Sequence, residues 1–278
     1  FILPSDLGAF QKEFWGEYHQ EIQRVKRIFQ ALRLEQEQPR KRLWDGDQID
    51  FDRLLDASIA IRSKQEPDLR IYQRTRRQNR DIGVAFLVDM SSSTNEIVGD
   101  DAKRILDVEK QALFLIAEAL HSLGDPFAIY GFSGFGRDQV AFYIAKEMNE
   151  AWDEDSQAKL GAMSWKLENR DGAAIRHCTS KMKSWRQKQK LLILLSDGKP
   201  LDCGSGEYQD ELAQMDTWRA LQEAKQQGVR PFCITVDPHG KDYLEAMYGQ
   251  GNYISISSIE TLPRKLPAIY RQLTGLGN

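Results

Sequence analysis

The chain has 278 residues, enough to bury a sizeable core, and its 38 Lys and Arg against 41 Asp and Glu leave a formal net charge of −3. So even a balance gives no global attraction to nucleic acid or to an acidic membrane surface. No stretch reaches the roughly 18 consecutive apolar residues of a membrane span, and Phe1 to Ala9 lacks the regions of a signal peptide. Cys178, Cys203 and Cys233 are an odd number without a CxxC pair, which speaks against a disulfide framework or a structural zinc. A reducing, cytoplasmic compartment is expected.

Residues 10–34 place Phe14, Tyr18, Ile22, Val25, Ile28, Phe29 and Leu32 at helical spacing, which predicts an amphipathic helix packed on the main domain. The charged stretch Glu35 to Arg42, with Pro39, reads as a linker. A second helix is predicted over 50–62, capped by Asp50 or Asp52. Residues 70–80 are strongly basic and alternate weakly, the pattern of an edge strand whose arginines discourage edge-to-edge pairing. Only Tyr72 interleaves aromatically, so no nucleic-acid role is assigned.

Val84 to Val88 form a continuous apolar run, the signature of a strand buried on both faces of a parallel sheet. A long buried helix is predicted over 103–123. Strands at Phe127–Phe132 and Val140–Ala145 follow, joined by a short Gly-rich turn that suits an antiparallel hairpin. Helices are then expected over 154–163 and 173–185, a fully apolar strand over Leu191–Leu195, and a helix over 210–227 ended by Gly228. A strand at 230–236, a short helix at 241–248, a strand at Tyr253–Ile256 and a helix at 260–274 complete the chain. Strands alternating with helices from residue 82 define an α/β fold, a doubly wound and mostly parallel sheet with one antiparallel edge strand. The expected division is residues 1–81, a helical extension with a basic edge segment, and residues 82–278, the α/β domain.

Polarity returns abruptly where the apolar strands end. Asp89, Ser91 and Ser93 follow the first, Asn169 and Asp171 precede a helix, and Asp197 follows the strand at Leu191–Leu195. Open α/β sheets hold ligands at that edge. Carboxylates and hydroxyls at this spacing are hard oxygen donors suited to Mg²⁺ or another divalent cation. No GxxxxGK[ST] phosphate loop is present, and Gly131-Phe-Ser-Gly-Phe-Gly misses the GxSxG nucleophile elbow at Phe135, so a hydrolase is poorly supported. His177 has no further His or Cys at metal-ligand spacing, and the basic run Lys181 to Lys190 reads as a solvated face.

Asp89-x-Ser91-x-Ser93, a later polar loop, and Asp197 after an apolar strand resemble the metal-ion-dependent adhesion site of von Willebrand factor A (vWA) domains. The resemblance implies that Ser91 and Ser93 ligate the metal directly and that Asp89 and Asp197 act mainly through water. The family's second loop normally contributes a threonine; here Asn169 or Asp171 takes that role. Asp107-Val-Glu-Lys, Phe127-Ala-Ile-Tyr-Gly-Phe-Ser, Asp171-Gly-Ala-Ala-Ile-Arg-His, Ser196-Asp-Gly-Lys-Pro and Pro231-Phe-Cys-Ile-Thr resemble the C-terminal region of the NorD/CbbO group. That implies a non-catalytic adaptor working with a MoxR-class AAA+ ATPase (CbbQ/NorQ-like). Its client would be bound through an acidic residue at the metal. The missing threonine tilts the resemblance toward the CbbO type and reactivation of inhibited Rubisco; the alternative is NorD-like activation of nitric oxide reductase.

Overall fold

The structure is a computed structural model that describes residues 1–3, 14, 16–36, 40–74, 81–98, 103–196, 200–202, 204, 208–235, 241–256 and 262–274. Its contacts divide the chain into two compact units, one of Phe1–Arg27 with Asp81–Asn278 and the other of Ile28–Arg80.

In the larger unit, strands β4 (Ile82–Asp89), β7 (Phe127–Gly134), β8 (Val140–Lys146), β9 (Gln189–Leu195), β10 (Val229–Thr235) and β11 (Tyr253–Ser255) form one sheet in the order β11-β10-β9-β4-β7-β8. Pairing is parallel from β11 to β7 and antiparallel between β7 and β8, so β8 is the expected antiparallel edge. β4 is paired on both sides, and every residue of it is buried. The apolar run at Val84–Val88 therefore sits where a strand needs no polar face.

Helix α3 (Ile105–Leu123) is buried along nearly its whole length. Two of its buried charged residues are partnered: Glu118 accepts from Trp152 Nε1 at 2.7 Å and pairs with Lys26 at 2.8 Å, and Lys110 Nζ donates to the Met163 carbonyl at 3.3 Å. The ring of Phe14 lies 4.8 Å from that of Phe114, and Tyr18, Ile22 and Val25 are buried. This first part of the N-terminal stripe packs as its spacing predicts. Helices α4 (Glu154–Gly161), α5 (Asp171–Lys183), α6 (Asp210–Gln226), α7 (Lys241–Tyr248) and α8 (Leu262–Thr274) complete the unit, with a two-stranded antiparallel sheet of β5 (Ile97–Val98) and β6 (Lys103–Arg104). Gly228 ends α6 in the left-handed region, φ 77°, which an L side chain rarely adopts.

In the smaller unit, β1 (Arg40–Leu43), β2 (Gln48–Ile49) and β3 (Tyr72–Arg74) form a separate antiparallel sheet in the order β1-β3-β2. Two sequence readings are corrected here. Part of the charged "linker" is strand, because Arg40–Leu43 pairs with β3. The basic segment is central in its small sheet, not an edge: Tyr72 faces both Leu43 and Ile49. Residues 75–80 of that segment lie outside the described residues. Helix α1 (His19–Gln36) runs through the division between the units, and α2 (Phe51–Arg62) belongs wholly to the smaller one. Asp50 stands at the N-cap position of α2 but makes no side-chain capping bond; it pairs with Lys41 at 3.2 Å. Only Ala57 is buried along α2.

Candidate metal centre

The centre begins with the last residue of β4. Asp89 is fully buried, and its carboxylate is held at both oxygens. Oδ1 accepts the Ser91 N–H at 2.8 Å, while Oδ2 accepts Asn169 Nδ2 at 2.5 Å and the Ser196 hydroxyl at 3.2 Å. Burial pushes this carboxyl above the ordinary carboxylate value, and the bonds from Ser91, Asn169 and Ser196 pull it back.

After Asp89 the chain leaves the sheet through a 3₁₀ turn at Ser92–Asn95, fixed by Thr94 Oγ1 donating to the Ser91 carbonyl at 2.6 Å. That turn brings the hydroxyls of Ser91 and Ser93 to 2.9 Å. Ser91 is buried and Ser93 exposed, so the pair leads from the interior to solvent.

Asn169 is buried, and both ends of its amide are engaged. Its nitrogen donates to Asp89, and its carbonyl oxygen accepts the Leu201 N–H at 2.6 Å. The amide orientation follows from these partners, since a carboxylate requires the donor and an N–H requires the acceptor. Asp171 is the buried first residue of α5, where the helix dipole favours a negative charge. The predicted loop thus becomes helix two residues earlier than the sequence suggests. Asp197 lies outside the described residues. The structure therefore joins Asp89, Ser91, Ser93 and Asn169 in one hydrogen-bonded cluster and sets Asp171 at the head of the adjoining helix.

Residues that the sequence reading did not single out as site residues hold this edge together. Ser196 reaches Asp89 from the end of β9. Asp202, fully buried, pairs with Arg170 Nε and accepts the N–H groups of Gly136 and Gly204, each at 2.9 Å. Burial opposes ionisation of Asp202, but Arg170 and those N–H groups outweigh it and hold the carboxyl below its ordinary value. Arg170 lies 4.3 Å from the centre of the Tyr208 ring, and Tyr208 donates to Asp216 at 2.8 Å. Arg176 also donates to Asp216 at 2.8 Å, and a Cβ on Gly172 would collide with that carboxylate. The only sequence signals for this network were Arg170 beside Asn169 and an aspartate in a Gly-rich loop. His177, by contrast, rests edge-on against Phe142 at 4.5 Å.

The donor set fits a hard divalent cation. Adjacent oxygens of an octahedron around Mg²⁺ are about 3.0 Å apart, given Mg–O near 2.1 Å, and the hydroxyl pair spans 2.9 Å. Among the described residues no group of three or more His, Cys, Asp and Glu side chains is placed to hold a metal. The donors in reach are hydroxyls, which suit hard cations better than zinc.

A sheet with this strand order, and a cluster of oxygen-bearing side chains on the loops at its C-terminal edge, defines a class. The profile of the von Willebrand factor type A domain matches residues 83–268, and the chain belongs to that family, whose domains typically bind a divalent cation. More particularly, it is similar to NorD proteins. It is 35% identical over 254 residues to Protein NorD of Brucella melitensis, covering 91% of this chain and 39% of that protein. It is 38% identical over 251 residues to PA0525, an uncharacterised protein of Pseudomonas aeruginosa, covering 90% of this chain and 40% of that protein. The chain thus spans about two-fifths of the length of these relatives. Among solved structures, the PilB minor pilin of Streptococcus sanguinis shares the fold, with a TM-score of 0.55 at 13% identity, covering 71% of this chain and 62% of that one.

Proposed function

We propose that the chain is the client-binding module of a NorD/CbbO-type accessory protein, a cytoplasmic and non-catalytic adaptor for a MoxR-class AAA+ ATPase of the CbbQ/NorQ type. The observation that carries this reading is the hydroxyl pair at 2.9 Å, backed by the buried and fully engaged carboxylate of Asp89. Ser91 and Ser93 would hold Mg²⁺ directly, with Asp89 and Asp197 acting through water. The cation would supply an electrophilic point for a carboxylate of the client. Asn169, with both amide ends engaged, orients Asp89 and pins the Leu201 loop; this leaves Asp171 as the second-loop donor. The binding domain begins near residue 82, after the extension over 1–81.

Inhibited Rubisco is the first client, on the ground that Asn169 replaces the threonine kept in NorD-type loops. Nitric oxide reductase is the second, favoured by relatives named NorD. Among the described residues no helix is long and apolar enough to cross a membrane. Titration calorimetry with Mg²⁺ and Mn²⁺ should show one site, lost in Asp89→Ala and weakened at least tenfold in Ser93→Ala, whose exposed position spares the core. Pull-down of each client should require Mg²⁺ and fail with both variants. Client capture that is unchanged in EDTA would sink the proposal.

A further inference from the structure

Loops neighbouring the one that carries the hydroxyl pair leave large apolar side chains in solvent. Phe135 is 47% exposed, Trp165 45%, Leu167 56% and Leu201 41%. They come from three connections, β7 to β8, α4 to α5 and β9 to α6. Hydrogen bonds knit those connections to the metal centre. The Ser92 N–H, between the two candidate ligands, donates to the Leu167 carbonyl at 2.6 Å, and the Lys166 N–H donates to Met90 at 2.7 Å. Gly134, next to Phe135, exchanges two backbone bonds with Glu168, each at 2.8 Å, and Leu201 is tied to Asn169 through its own N–H and carbonyl. Beside Leu167 a cavity of about 590 Å³ opens, walled by Val140, Ala141, Tyr143 and Trp165.

Single exposed apolar residues are ordinary on a protein surface. Four large ones around one polar centre, with a cavity alongside, form a patch, and such a patch rimming a polar group marks a binding surface. A hard cation in the middle attracts an anionic oxygen, while the rim gains only from apolar contact and from excluding water around the charge. We propose that the bound segment of the client carries its carboxylate between large apolar side chains. The carboxylate meets the cation, and one neighbour enters the cavity between Trp165 and Tyr143. The proposal rests on the metal-site reading above and adds the identity of the flanking residues.

Two fluorescein-labelled peptides test it on the full chain, one with Glu between Trp and Leu and one with Glu between serines, each also made with Gln for Glu. In Mg²⁺ the apolar Glu peptide should bind roughly tenfold tighter than the serine peptide by anisotropy, because it alone buries the rim. It should release in EDTA, and its Gln version should bind no better than the serine peptide. Trp165→Ser with Leu167→Ser should bring the two Glu peptides within about twofold of each other while Mn²⁺ binding, read by electron paramagnetic resonance, is unchanged. Equal affinity of the two Glu peptides for Mg²⁺-loaded protein overturns this inference alone. A Gln peptide as tight as its Glu counterpart also overturns it, since the rim would then act without the acid. Failure of the unaltered chain to bind Mn²⁺ overturns the metal-site reading and this inference with it.

Discussion

Helices α2 and α3 are both rich in Leu, Ile and Ala, yet they end in opposite surroundings. Along α3 even Glu109, Lys110 and Glu118 are buried, whereas along α2 Phe51 is 77% exposed, Leu55 61% and Ile59 54%. Phe51, Leu55 and Ile59 recur every four residues and so share one face of α2. Apolar periodicity states that a helix needs a partner; it does not state that the partner lies in the same chain. α3 finds its partners in the sheet unit. Nothing among the described residues covers the α2 stripe.

This contrast can be broken by substitution. Leu113→Ala, at a position with no exposure in α3, should cost about 3 kcal/mol in denaturant unfolding through lost burial and the cavity it leaves. Asp202→Asn comes next, at about 2 kcal/mol, because it removes the buried charge that answers half-buried Arg170 while keeping the shape. The sign of its pH dependence is fixed. With the folded carboxyl below its ordinary value of 3.8, the unaltered chain holds its full advantage over the variant above that value. It loses that advantage as pH falls through the lower, folded value. A gap between the two proteins that widens in acid would contradict the ion pair. Leu55→Ser, on α2, should stay within about 0.5 kcal/mol. A loss there as large as that of Leu113→Ala would mean the stripe is covered after all.

Much of the architecture was legible because its signals are periodic. Val84–Val88 and Leu191–Leu195 announce strands without a polar face, and the helix over 103–123 lacks one as well. The first loop was legible for a different reason: Asp89, Ser91 and Ser93, three of its four oxygen-bearing side chains, alternate over five residues. What escaped is long-range or short. β1, β2 and β3 have two to four residues each, too few for a period to emerge. Asp171-Gly172 reads as the end of a polar loop, but the two are the first residues of α5, where Gly172 meets Asp216 closely. Asp202 joins Arg170 across 32 positions, and no local pattern records such a pairing.

Asp89 ends a strand paired along its length on both sides, and that has a consequence for amide hydrogen exchange. The N–H groups of Val84 to Val88 should exchange only when the whole domain opens, whereas those of Ser93 and Glu96 exchange through small local openings. The anchor of the site and its hydroxyl arm thus differ in how often they come loose. Any load on the domain would therefore free the arm long before it reached the anchor.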